Sequence, residues 1–235
     1  MIISVHQPQY IPWLGFFDKI AKSDAFVFLD QVQYKEREFQ NRNKIRTKDG
    51  WMWLTVPVVS KGLGRQKISD VKIDNESDWQ DKTRGSLRSC YNRAPFFKEH
   101  SGFFEKVYTR KWDRLIDLNI HIIEYLLARF KIETPVYYES KIGTTLEATG
   151  RIIEICKKLK ADTYLSGSGG KDYLEEEKFK NEFISLQYQH FMHPFYRQQY
   201  MEASSPFLPY MSAIDLLFNE GDNSVNILKG TPSDV

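Results

Sequence analysis

Residues 2–15 read Ile-Ile-Ser-Val-His-Gln-Pro-Gln-Tyr-Ile-Pro-Trp-Leu-Gly, and this stretch decides the fold that we expect. Its first four residues are mostly β-branched and predict a short strand, which ends in a loop restricted by Pro8 and Pro12. A strand, a polar loop and a helix form the unit that places ligands at the carboxyl end of strands in α/β folds. His6 and Gln7 lie at that end and are the first candidates for a site.

An amphipathic helix is predicted directly after this loop, over residues 14–22, because apolar side chains recur there at helical spacing. Its charged positions are Asp18, Lys19 and Lys22. The continuous apolar run at 25–29 then predicts a buried strand that runs parallel to the first one.

Asp30 follows the second strand and should lie beside the loop that carries His6, since a strand–helix–strand crossover joins neighbouring parallel strands. The two residues are our candidate catalytic pair. The imidazole would act as a general base and the carboxylate would orient it, provided that they meet within hydrogen-bond reach. The alternative for Asp30 is a helix or turn cap.

Strands and helices alternate again near the end of the chain, around a helical middle at about 79–130. This order predicts an α/β fold with a three-layer, mostly parallel sheet and a helical insertion in the middle of the chain. We expect one domain over 1–230, with a helical subdomain at about 79–130 and a disordered tail at 231–235. Ser212 should cap the last amphipathic helix, with Asp215 in the capping-box position.

The segment 42–48 alternates cations with uncharged residues. An extended chain would place four of them on one face: Arg42, Lys44, Arg46 and Lys48. Such a face suits phosphate or pyrophosphate, and arginine supplies bidentate geometry. The alternative is a solvated edge strand that its charges protect from pairing. We keep Arg42 and Asn43 as candidate binding residues.

A glycine-rich segment, Ser-Gly-Ser-Gly-Gly-Lys at 166–171, opens directly after another predicted strand. Such a turn can present successive amide N–H groups to an oxyanion, and Lys171 adds charge. Its spacing matches neither the nucleotide-binding P-loop nor the dinucleotide fingerprint. A plain tight turn is the alternative.

The candidate site therefore has His6 and Asp30 as catalytic residues and eleven substrate-binding residues: Gln7, Tyr10, Trp13, Gln33, Arg42, Asn43, Ser166, Gly167, Gly169, Gly170 and Lys171. The rings of Tyr10 and Trp13 could stack on a base or a sugar. No serine or cysteine has a recognisable nucleophile context, so no covalent intermediate is indicated. His190 and His193 lack a third ligand nearby, so we expect no metal site, and the cofactor stays open.

Composition limits the class of protein. A net charge of +2 excludes a strongly cationic nucleic-acid-binding protein, and we do not expect nucleic acid as a partner. No apolar run approaches the roughly 18 residues of a membrane span, and no signal-peptide pattern precedes the first strand. Cys90 and Cys156 fall on apolar helix faces and are expected to be buried free thiols, which fits a cytoplasmic protein.

Several segments resemble the WbqC-like family of bacterial proteins: His6-Gln7-Pro8-x-Tyr10-x-Pro12-Trp13-x-Gly15-x-Phe17-Asp18-Lys19-Ile20, Phe28-Leu29-Asp30 with Val32-Gln33-Tyr34, Gln40-Asn41-Arg42-Asn43, Trp53-Leu54-Thr55-Val56-Pro57-Val58, Tyr164-Leu165-Ser166-Gly167 and Ser212-x-x-Asp215-Leu216-Leu217-Phe218-Asn219-x-Gly221. The resemblance covers nearly the whole chain. It implies a role in surface-polysaccharide (O-antigen) biosynthesis, as a transferase of glycine or another acyl group to an amino sugar. A nucleotide or nucleotide sugar is then the expected anionic ligand.

The order of elements is also similar to the HIGH-motif nucleotidyltransferase fold of adenylate-forming ligases such as pantothenate synthetase. Those enzymes carry His-x-Gly-His at the helix entry, where this chain has Trp13-Leu14-Gly15-Phe16 and neither histidine. The comparison is an analogy of fold alone. It leaves a nucleotidyl- or adenylate-forming enzyme, or a non-catalytic nucleotide-sugar-binding protein, as the alternative functions.

Overall fold

The structure is a computed structural model that describes residues 1–202 and 205–230. The strands are, in chain order, β1 (Ile2–His6), β2 (Ala25–Phe28), β3 (Arg42–Thr47), β4 (Gly50–Thr55), β5 (Val136–Tyr138), β6 (Thr163–Ser166) and β7 (Ser185–Tyr188). The α-helices are α1 (Leu14–Ala21), α2 (Trp79–Tyr91), α3 (Phe97–Thr109), α4 (Leu115–Arg129), α5 (Glu139–Ile142), α6 (Ala148–Lys158), α7 (Glu176–Asn181), α8 (Ala213–Glu220) and α9 (Ser224–Leu228). The tail predicted at 231–235 lies outside the described residues.

These residues form two compact units. The first unit comprises Met1–Pro8, Gly15–Val32 and Ile132–Met192. The second unit comprises Gln9–Leu14, Gln33–Lys131 and the described part of 193–235. The organisation expected from the sequence, one domain with a helical subdomain, stays a prediction.

The first unit contains a five-stranded sheet with the order β5-β2-β1-β6-β7, in which every neighbouring pair is parallel. Ile3 lies opposite Ala25 on one side and Tyr164 on the other, so β1 is the central strand. Counted within this sheet alone, the strands follow the order 3-2-1-4-5 of doubly wound α/β folds. The predicted α/β class and mostly parallel sheet are confirmed, and the comparison with nucleotidyltransferases stays a prediction.

Alternate residues of the central strands face two different layers of helix, as the period of two in a strand requires. On one face, the ring of Phe26 packs 5.6 Å from that of Phe16 on α1. On the other face, Ile3, Val5 and Val27 belong to a core cluster together with side chains of α6 and α7. The first unit therefore has the three layers that the sequence predicts.

The second unit combines the antiparallel hairpin β3–β4 with the helices α2, α3, α4, α8 and α9. The predicted helical stretch at 79–130 contains α2, α3 and α4. Cys90 is buried on the inner face of α2, and Cys156 is buried in the first unit. Both thiols are unpaired, as expected.

The solvated face expected for the cations of 42–48 is wrong at Arg46, which has no exposed surface. Its guanidinium group donates hydrogen bonds to the carbonyl oxygens of Gln199 (2.8 Å), Pro206 (2.9 Å) and Ser205 (3.0 Å). Guanidinium has five N–H donors and can satisfy several backbone carbonyl groups that have no partner within a helix or a sheet. Arg46 is therefore a buried anchor for the chain around these carbonyl groups and belongs to no solvated face.

Candidate functional site

The order of strands reverses between β1 and β6. The chain passes from β1 to β2 on one side, and it later returns to the other side of β1 to form β6 and β7. In open α/β sheets, ligands bind outside the carboxyl ends of the strands at such a switch point. A cavity of about 290 Å³ lies at this place, and five of the predicted residues line it: His6, Gln7, Gly167, Gly169 and Gly170.

Lys19 also lines this cavity, although the sequence placed it on the charged face of α1. Its side chain is only 3% exposed, and Nζ donates a hydrogen bond of 3.0 Å to the carbonyl oxygen of Val5. Side chains of a helix point toward its N-terminus, so Lys19 reaches back to the carboxyl end of β1. Burial lowers the pKa of Lys19 from 10.5 to about 7, because the charged form is poorly solvated there.

His6 is half-buried at the end of β1, and its ring lies 5.3 Å from that of Phe16. Nδ1 is 2.9 Å from the carbonyl oxygen of Gln7. Because a carbonyl group only accepts, Nδ1 carries the proton and Nε2 is left as an acceptor. Burial, with a smaller effect of the Lys19 charge, lowers the pKa of His6 to about 3. His6 is therefore a neutral hydrogen-bonding group near pH 7.

Asp30 lies next to the end of β1, as expected, since Leu29 N donates to the carbonyl oxygen of His6 at 2.9 Å. Its carboxylate is 4% exposed and accepts a 2.9 Å hydrogen bond from the amide of Ser140, at the start of α5. This contact corresponds to the capping alternative. The hydrogen bonds of His6 and Asp30 go to different groups, and their catalytic pairing stays a prediction.

The glycine-rich segment forms a short 3₁₀ helix at Ser168–Asp172. A Cβ atom added at Gly170 would lie 2.0 Å from Ser166 Oγ, so packing requires glycine at this position. Ser166 itself is buried and donates to the carbonyl oxygen of Gly167. Lys171 lies with Nζ 5.3 Å from the centre of the Tyr188 ring and is not among the lining residues of the cavity.

The other predicted binding residues belong to the second unit, and none of them lines the cavity of the first. The hydroxyl of the fully buried Tyr10 lies 2.6 Å from that of Tyr108. Asn43 Nδ2 donates to the carbonyl oxygen of Ile11 at 2.9 Å.

Arg42, Trp13 and Gln33 likewise make contacts within the second unit. Arg42 donates to the carbonyl oxygen of Arg37, and its guanidinium lies 4.3 Å from the centre of the Trp53 ring. The ring of Trp13 lies 5.9 Å from that of Tyr210, and Gln33 forms a β-bridge with Lys67.

Six lining residues were not predicted from the sequence, and two of them, Lys19 and Tyr173, offer a ligand an ammonium group and an exposed ring. Lys19 was overlooked because a charged residue on a short amphipathic helix is normally solvated. Tyr173 is 63% exposed and presents an aromatic ring at the cavity. It follows the glycine-rich segment and Asp172 in the sequence, and this closeness to a predicted binding segment could have identified it.

The sequence profile of the WbqC-like protein family matches residues 7–227. The chain belongs to the WbqC-like family. This WbqC-like protein is also 31% identical over 228 residues to the uncharacterized protein Rv1507c of Mycobacterium tuberculosis, with 97% of each chain covered. No solved structure matches it. Within residues 1–202 and 205–230, no helix is both long and apolar enough to cross a bilayer.

Proposed function

We propose that this WbqC-like protein is a cytoplasmic transferase of surface-polysaccharide biosynthesis that acylates a nucleotide-linked amino sugar, with glycine or another acyl group. The observation that carries the proposal is the cavity at the switch point between β1 and β6. This place in a doubly wound sheet is where nucleotide ligands bind. The resemblance to the family supplies the class of reaction.

The lining side chains offer the groups that such a ligand needs. Lys19 and the glycine-rich segment can hold an anionic group, since both supply N–H donors. Neutral His6 can accept a hydrogen bond from the sugar's amino group at Nε2 and so orient it toward the acyl carbon. The exposed ring of Tyr173 can pack on a sugar or a base.

Thermal unfolding in the presence of nucleotide-linked amino sugars tests the proposal. A ligand at 100 times its dissociation constant stabilises a protein by about 2.7 kcal/mol, which raises Tm by several degrees. We expect a larger shift than with the free amino sugar or the free nucleotide. The absence of a shift across a broad panel would contradict the proposal.

A turnover assay separates the transferase from its alternatives. Incubation with a stabilising nucleotide sugar and activated acyl donors should give an acylated amino sugar, detected by mass spectrometry. Binding without any product would indicate a non-catalytic nucleotide-sugar-binding protein. Release of pyrophosphate from ATP in the presence of glycine would indicate an adenylate-forming enzyme instead.

A further inference from the structure

The ammonium group of Lys19 is buried in the first unit although it is a charged group. It is enclosed at the switch-point cavity, between the end of β1 and the turn that follows β6. Val5 O is the one acceptor that the described residues offer it, and an ammonium group has three N–H donors. A Cβ atom added at Gly167 would lie 3.8 Å from Nζ, in van der Waals contact, so the ammonium group lies directly beside the backbone of the turn.

We propose that Lys19 binds a phosphate group of the ligand and takes up a proton as that phosphate enters the cavity. This inference rests on the proposed function, because it assigns the anionic part of the same ligand. An anion in contact with Nζ would supply the missing acceptors and the missing counter-charge. The buried lysine is therefore explained as half of an ion pair that the ligand completes.

Proton uptake is assigned to Lys19 by the behaviour of the other titratable groups at the cavity. His6 is already neutral well below pH 6, because burial lowers its pKa to about 3. Burial raises the pKa of Tyr164, and partial desolvation raises that of the largely exposed Tyr173, so both phenols stay protonated near neutral pH. Burial also raises the pKa of the Cys156 thiol, beside Tyr164, to about 12.

Asp18, the neighbouring carboxylate on α1, has partners of its own. Its oxygens lie 2.8 Å from Lys22 Nζ and 2.6 Å from Gln189 Nε2. Among the described groups that face the cavity, Lys19 is thus the one whose proton is exchanged near pH 7. Above that pH, binding of a dianion requires that Lys19 take up a proton from the solution, so the affinity of the protein for the dianion falls.

Inorganic sulfate is the probe for this experiment, since it is a tetrahedral dianion that does not titrate between pH 6.5 and 9. Isothermal titration calorimetry in buffers of different ionisation enthalpy measures both the dissociation constant and the protons taken up. For the wild type we expect the dissociation constant to rise about tenfold per pH unit above pH 7, with close to one proton taken up at pH 8.

Three variants identify the group. Lys19→Met should abolish sulfate binding, whereas Lys180→Met, which removes a lysine that is 67% exposed on α7, should leave it unchanged. Lys19→Arg keeps a positive charge at every pH, so its sulfate binding should lose both the pH dependence and the proton uptake. This loss distinguishes a lysine that binds the anion from a lysine that merely supports the fold.

The inference is overturned if sulfate does not bind at pH 6.5, if binding survives in Lys19→Met, or if wild-type affinity is independent of pH. It fails separately from the proposed function. Proton-linked sulfate binding without any nucleotide-sugar binding would leave Lys19 assigned and refute the transferase. Nucleotide-sugar turnover that is unaffected by Lys19→Met would support the transferase and refute the role of Lys19.

Discussion

Lys19→Met should change how the stability of the protein depends on pH. In the unfolded chain Lys19 keeps its proton up to about pH 10.5, whereas burial lowers its pKa in the folded protein to about 7. Between these values the unfolded state binds more protons, so the free energy of unfolding of the wild type rises with pH. One pKa unit corresponds to about 1.4 kcal/mol, and the whole shift corresponds to roughly 5 kcal/mol. Methionine keeps the length of the side chain and removes this contribution.

Urea-induced unfolding at several values from pH 7 to pH 9.5 measures the effect. The wild type should gain roughly 3 kcal/mol relative to Lys19→Met over this range, and the variant should be the more stable protein at pH 7. Effects of other groups cancel in the difference. Lys180→Met is the control for removal of a lysine from the first unit, because the Lys180 side chain is 67% exposed. A difference between wild type and Lys19→Met that stays constant with pH would refute the desolvation of Lys19.

Three further substitutions test the packing described above. Gly170→Ala should destabilise the fold by about 1–3 kcal/mol in thermal or urea unfolding, because its methyl group meets Ser166, whereas Gly169→Ala, with no atom near its Cβ position, should be close to neutral. Arg46→Lys should cost about 1–3 kcal/mol, since an ammonium group cannot reach all the carbonyl groups that the guanidinium satisfies; equal urea midpoints would contradict this. Asp215→Asn should cost a similar amount, about 1–3 kcal/mol, because an amide donor would replace an acceptor; an unchanged free energy of unfolding would disprove it.

The parts of the fold that the sequence predicts are those set by local patterns. The unit of β1, α1 and β2 could be predicted because β-branched runs and helical spacing are properties of neighbouring residues. The pairing of His6 with Phe28 follows from the short crossover between the two strands. The sequence also placed His6 and Gln7 at the carboxyl end of β1, and both residues line the cavity there.

The burial of Asp18 and Lys19 could not be predicted, since it depends on residues that are distant in sequence. Asp18 is only 5% exposed, and besides the nearby Lys22 its carboxylate has a partner 171 residues later, Gln189, which donates to it. Its exposure therefore depends on β7 and the residues that follow. Lys19 is likewise enclosed by residues that are distant in sequence. The helical spacing of three or four residues gives no information about such contacts.

The last predicted helix, α8, has one feature that the sequence predicts and one that it does not. Ser212 caps α8 as expected, and its Oγ accepts from the amide of Ile214. Asp215 does occupy the capping-box position, three residues after Ser212, but it does not make the capping-box contact, because Ser212 N donates instead to the carbonyl oxygen of Lys44 at 2.9 Å. The Asp215 carboxylate is fully buried and accepts hydrogen bonds from the hydroxyls of Tyr91 (2.9 Å) and Tyr196 (2.8 Å). A capping box is read from spacing alone, whereas the partners of Asp215 come from other parts of the second unit.

The central position of β1 has a consequence for synthesis on the ribosome. Ile3 pairs with Ala25 almost at once, but its partner on the other edge, Tyr164, is 161 residues away. At about 5–20 residues per second, that edge of β1 waits roughly 8–30 seconds for β6 to be made. An unpaired strand edge is a template for aggregation. Slow elongation or a stalled ribosome should therefore lower the yield of this protein through its first strand.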